Sequence, residues 1–367
     1  MNQSANIHSS AGRNYGLDLL RLVAAFYVVF IHTMTLGGLY DATALYSYQD
    51  LVCRAGMIVA FCCVNIFGII SGYVGYCETP KKHAYSSVFP LWLTVVFYSL
   101  LYAGIFMFFF PGPETSHYLL RAIFPLTSDL YWYFSCYIFV CLLAPFLNKI
   151  LRHSSDTELK QLFWLICGIL ITVEYIGDSF EFGSGFTSIW LMLLYLLGGI
   201  LKKTGTSSKI PTYALFLAIV AIDVFYFFLN LKLPFFTVSI FRIGFPVNGS
   251  LVNPFYVATA ILHVLLFSRF KIHPFWHKII KFSAAASFSV YIVNTHPLLW
   301  ELGVNNRFGA WAGSSPVGLL VRVLAFSTCF VTAVVLIDFV RRELFRLLGV
   351  QRWPQKVSGL LHKEESL

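Results

Sequence analysis

Residues 16–35 read GLDLLRLVAAFYVVFIHTMT. The stretch is almost wholly apolar, and about 20 such residues are what an α-helix needs to cross roughly 30 Å of hydrocarbon. Three ionisable groups interrupt it: Asp18, Arg21 and His32. In lipid each costs several kcal/mol unless it is paired or hydrated, so each calls for a partner or a polar cavity.

Runs of the same kind recur at 53–76, 86–110, 130–149, 161–177, 186–201, 211–230, 251–268, 283–300 and 315–339. With the first run they predict an all-α, polytopic bundle of about ten transmembrane helices. Composition agrees: 58% of residues are hydrophobic and 12% charged, with a mean hydropathy of +0.73, whereas soluble chains carry about a quarter charged residues. A globule with a polar shell is thereby excluded. The 37 Phe, 20 Tyr and 8 Trp suit lipid-facing surfaces and interfacial belts. No internal repeat is visible. The layout reads as a short polar segment over 1–16, one membrane domain over 17–340 and a basic tail over 341–367. No small-residue cleavage site follows the first run, which is expected to stay as a span.

Cytoplasmic loops of membrane proteins carry the excess of Lys and Arg. With the N-terminus inside, the outer loops hold only Arg121, Lys232, Arg242 and Arg307. Arg21, Arg54 and Arg322 fall within or at the ends of runs, and every other Lys and Arg lies on the inner side. Both termini are therefore expected in the cytoplasm. The net charge of +9 is spread over loops beside an anionic leaflet and needs no nucleic-acid partner. The eight cysteines sit mostly in apolar runs with no C-x-x-C pair and no ligand spacing to histidine, so they read as packing residues and no metal is expected.

Arg21 and His32 are 11 residues apart, three turns plus about 20°, so they share one helix face about 16 Å apart along the axis. Asp18 lies three residues before Arg21 and can hold its guanidinium. Such a face suits transfer from a coenzyme A thioester, with a cation near the surface for its phosphates and an imidazole at the reacting end to take a proton from a hydroxyl. An interfacial arginine and a helix-bonding histidine would give the same spacing. Glu174, Asp223, Glu301 and Asp338 also fall in or near runs, where they can line a polar cavity or hydrogen-bond between helices.

Four segments go further. LDLLRLVAAFYVVFIH, from Leu17 to His32, resembles the first-helix motif of the membrane-bound acyltransferase family 3, in which Arg and His are separated by ten residues. VNIFGIISGY resembles the family's Ser-Gly-aromatic segment through Ser71, Gly72 and Tyr73. LYWYFSCYIFVCLLAPFLNKI is similar to its Trp-Tyr/Phe start and Pro-Phe-Leu-Asn end through Trp132, Tyr137, Pro145 and Asn148. SFSVYIVNTHPLLW resembles its Ser-x-x-x-Tyr-Leu-Ile-His segment through Ser287 and Tyr291.

The resemblance implies acyl-CoA-dependent O-acylation, commonly acetylation, of a surface polysaccharide, lipopolysaccharide or lipid-linked sugar at the plasma membrane. It places His32 as general base, and Arg21, steadied by Asp18, at the acetyl-CoA donor. Trp132, Ser287, Tyr291 and Asn294 fall on the substrate side. Two positions depart from the family pattern: Asn294 stands where the family commonly has His, and Lys81 and Lys82 stand in place of an Arg-rich stretch as further donor contacts. The competing expectation from another class is a secondary transporter or flippase of a glycan precursor, since buried charge and Gly-interrupted helices also describe carriers.

Overall fold

The computed structural model describes residues 12–79, 85, 88–178, 180–232 and 250–350, with the backbone alone over 113–117. The described residues form helices without strands: α1 (Tyr15–Met34), α2 (Tyr48–Ala60), α3 (Cys63–Gly75), α4 (Val88–Phe109), α5 (Pro113–Ile123), α6 (Trp132–His153), α7 (Asp156–Tyr175), α8 (Ser188–Lys203), α9 (Thr212–Lys232), α10 (Pro254–Phe267), α11 (Pro274–Ala284), α12 (Ser287–Asn294) and α13 (Pro316–Leu347). Six candidate spans are long and apolar enough to cross a membrane: α1, α2 and α3 together, α4, α6, α9 and α13. The remaining expected runs form shorter or more charged helices.

Helix starts follow local chemistry. Asn14 caps α1 by accepting from the Leu17 amide at 3.1 Å, and its side-chain amide donates to the Ser268 carbonyl at 2.7 Å, tying α1 to the end of α10. Ser155 and Glu158 close a capping box at the start of α7, satisfying amides that a helix leaves open. Pro254, Pro274 and Pro316 each stand in the first turn of a helix, after Asn253, His273 and Ser315 as caps, where the missing N–H costs nothing.

Two runs differ from their expected bounds. The second helix starts at Tyr48 rather than 53 because Asp50, polar and uncounted among apolar residues, is buried against Arg54 at 2.8 Å. The run at 283–300 breaks into the end of α11, all of α12 and a π-helical turn over Leu299–Val304; Pro297 has no amide to continue the ladder.

The core is built around α1, which packs against α2, α3, α10, α11, α12 and α13. Helices α3 and α8 cross closely, and glycine makes it possible. A Cβ on Gly72 would fall on the Tyr195 carbonyl, and one on Gly198 on the Ile69 carbonyl. With no hydrophobic force between helices in lipid, such small-residue contacts let backbones approach and gain van der Waals attraction. Outward, α9 exposes Phe216, Leu217, Phe225 and Phe228, and α13 exposes Val317, Val321, Leu336 and Val340, as helices bathed in lipid tails do.

Candidate active site

Tyr15 stacks on His277 with ring centroids 3.7 Å apart at one end of α1, and His32 meets Asn294 at the other. Helix α1 and the α11–α12 segment therefore run side by side in one direction. Between α1, α3, α6 and α12 lies a cavity of about 520 Å³, within the range of small-molecule sites. Its lining runs from Arg152 past Arg21 to His32, Trp132 and Phe186 at the far end.

The 11 residues between Arg21 and His32 separate the cavity's two chemistries by about 16 Å along the helix axis. At the first end, Arg21 donates from Nη1 to Asp18 at 2.7 Å, and Arg13 approaches the other carboxylate oxygen at 2.5 Å. Asp18 is buried and Arg21 is not. The carboxylate holds one side of the guanidinium and leaves its other donors toward the cavity. Arg152 reaches the Cys77 carbonyl at 3.4 Å.

At the far end, His32 Nδ1 lies 2.6 Å from the Asn294 side-chain oxygen. An amide oxygen only accepts, so Nδ1 carries the hydrogen, and in the neutral ring Nε2 keeps its lone pair. Trp300 meets the imidazole edge-on with centroids 5.3 Å apart and limits how the ring can turn. This is the geometry of a histidine fixed in one tautomer with its basic nitrogen available.

An aromatic wall joins the ends. Tyr133 stacks on Tyr137 at 5.8 Å and meets Tyr291 edge-on at 5.3 Å, and its backbone amide donates to the Tyr291 hydroxyl at 3.2 Å. Ser71 donates to the Tyr137 hydroxyl at 3.4 Å. Asn148 bridges helices, donating to the Gly75 carbonyl and accepting from Tyr195, both at 3.2 Å. Pro145 brings no N–H to the Cys141 carbonyl one turn earlier, and both residues line the cavity. At the His32 end Trp132 and Phe186 pack at 4.7 Å.

Of the residues singled out by sequence, Arg21, His32, Trp132, Ser287 and Tyr291 line this one cavity. Asp18 and Asn294 touch it through Arg21 and His32. Lys81 and Lys82 lie outside the described residues. Sequence reasoning missed Phe186, Trp300 and the part of Arg152, which it counted only as a loop charge. Phe186 precedes α8 in a Gly-rich stretch and carries no periodic signal, so only tertiary packing places it. Glu174 faces away from this cavity, accepting from Ser250 at 2.5 Å and from Asn253 at 3.2 Å.

Comparison with known families bears out the resemblance. The acyltransferase domain model of the acyltransferase 3 family matches residues 14–339, and the chain belongs to that family. It is a membrane-helical acyltransferase. Neither a curated protein nor a solved structure matches it.

Proposed function

We propose that the protein is an O-acyltransferase that moves an acyl group, acetyl first among the candidates, from cytosolic acyl-CoA to a hydroxyl of a surface polysaccharide, lipopolysaccharide or lipid-linked sugar. In this reading the plasma membrane holds about ten spans with both termini inside, as the distribution of Lys and Arg indicates. The observation that carries it is one cavity lined by Arg21 and Arg152 along its length and by His32, oriented through Asn294, at its far end.

The chemistry follows from those ends. A phosphorylated donor enters at Arg21, held by Asp18, and its arm runs along the Tyr133–Tyr137 wall so that the thioester reaches His32. The acceptor sugar stacks at Trp132 and Phe186, since an aromatic face suits the apolar face of a sugar ring. Its hydroxyl gives its proton to His32 Nε2 as the oxygen attacks the thioester carbonyl. The tetrahedral intermediate collapses, the C–S bond breaks, and the imidazolium returns the proton to the departing thiolate. Asn294 keeps the ring in the tautomer that permits both transfers and supports the positive charge through Nδ1–H. It does this without titrating, as an amide must.

Membranes carrying the protein, incubated with radiolabelled acetyl-CoA and glycan, are expected to yield glycan-bound label that mild alkali releases, as an ester requires. Movement of unlabelled glycan across the membrane with no ester formed would replace this reading with the carrier.

A further inference from the structure

Ser287 holds a buried hydroxyl with no hydrogen-bond partner, 3% exposed, on the wall of the same cavity. It is the first residue of α12, whose cap Ala286 offers no side chain to the helix's open amides. The first bond within α12 runs from the Val290 amide to the Ala286 carbonyl, so the amides ahead of Val290 have no partner inside the helix. Because α12 runs alongside α1, Ser287 sits about 10 Å from Asn294 toward the Arg21 end, by seven residues of helical rise. Helix α12 begins inside the bundle, and its positive end opens on the cavity.

The charges lining the cavity have one sign. Arg21 and Arg152 face it, and no carboxylate does among the described residues. Open amides, an unpartnered hydroxyl and the Arg21 guanidinium in one low-dielectric space form a site for an anion rather than for a neutral sugar.

The geometry points to Ser287 and the uncapped first turn of α12, together with Arg21, as the subsite that holds the pyrophosphate of the acyl-CoA donor. This rests on the donor reading above and assigns Ser287 to the donor side of the reaction rather than to the acceptor. The pantetheine arm then covers the remaining distance to His32 along the aromatic wall.

The test is equilibrium binding to the purified full chain in phosphatidylcholine nanodiscs, with coenzyme A and with pantetheine, which lacks the pyrophosphate. The unaltered protein is expected to prefer coenzyme A by about tenfold or more. Ser287→Ala removes one hydrogen bond to a charged group and should weaken coenzyme A binding about tenfold. Ser287→Asp sets a like charge against the phosphates and should weaken it further. Ser287→Thr keeps the hydroxyl and should stay within about threefold. In both weakened variants the preference for coenzyme A over pantetheine should collapse. Should Ser287→Asp fail to fold, the alanine and threonine pair still decides the matter. Coenzyme A binding indifferent to Ser287→Ala, or equal loss of both ligands, overturns this subsite and leaves the donor reading intact. An unaltered protein that binds no coenzyme A overturns both.

Discussion

Asn294, at one end of α12, accepts from His32, whose second nitrogen is left open on a cavity. About one and a half turns nearer its start, Ser289 donates to Asp338 at 2.6 Å, and there each carboxylate oxygen meets an arginine. Asp338 Oδ1 also accepts from Tyr98 at 3.0 Å and Arg341 at 2.8 Å, while Oδ2 pairs with Arg342 at 2.9 Å. Arg341 in turn donates to Thr94 at 3.1 Å. One short helix thus serves two polar clusters of similar burial. The Asp338 cluster spends its valences on binding α4, α12 and α13 together. The His32 cluster keeps one in reserve, and a spare lone pair at the end of a cavity is what chemistry requires.

Substitution should separate the two. His32→Ala removes the proposed general base and should lower acyl transfer about a hundredfold to ten-thousandfold with normal abundance in the membrane. Asp338→Ala leaves arginines buried without their partner and should cost about 3–5 kcal/mol of stability. It is expected to appear as lost protein in detergent melts and purification yield, with turnover per folded molecule changed far less than in His32→Ala. If Asp338→Ala proved stable but inactive, the division between the clusters would be wrong.

A finer cut falls within the His32 cluster. Asn294→Leu leaves the buried Nδ1–H unpaired, a cost of about 1–3 kcal/mol, and should reduce turnover roughly tenfold or more without weakening donor binding. Asn294→His restores an acceptor and should keep most of the activity. Loss of transfer by Asn294→His at normal abundance would mean that the pocket is fitted to the amide itself.

The smallest effect belongs to a surface feature that resembles both clusters in chemistry but not in burial. Glu158 accepts from the Ser155 backbone amide and then from its hydroxyl, and those bonds hold its carboxyl below the usual glutamate range. A depressed folded-state value means that the contribution is present above the ordinary glutamate value of about 4.3 and is lost as pH falls through the folded value. Hydrogen exchange should show the first turn of α7 opening in acid. Ser155→Ala should give the same opening at neutral pH, and equal protection in both proteins would remove the cap from the account.

Membrane insertion was legible in residues 16–35 alone, because hydrocarbon admits only long apolar helices with their backbone bonds satisfied internally. The Arg21–His32 face was legible too, since helical period fixes which residues of one helix share a side. The same reasoning counted full spans where α8, α10 and α12 are short and ran one span through Pro297, because apolarity does not say where a helix stops once neighbours bury its ends.

Sequence by itself determined the class of solvent, the helices and the spacing of charge within α1, all of which depend on near neighbours in the chain. Tertiary structure alone decided that Asn294 reaches His32 across 262 positions, that Ser287 lines the cavity with its hydroxyl unpartnered while Ser289 is bound to Asp338, and that Phe186 closes on Trp132. Two serines two residues apart look alike as letters. Their roles diverge because opposite sides of a helix meet different partners, and which partners those are depends on how distant helices pack.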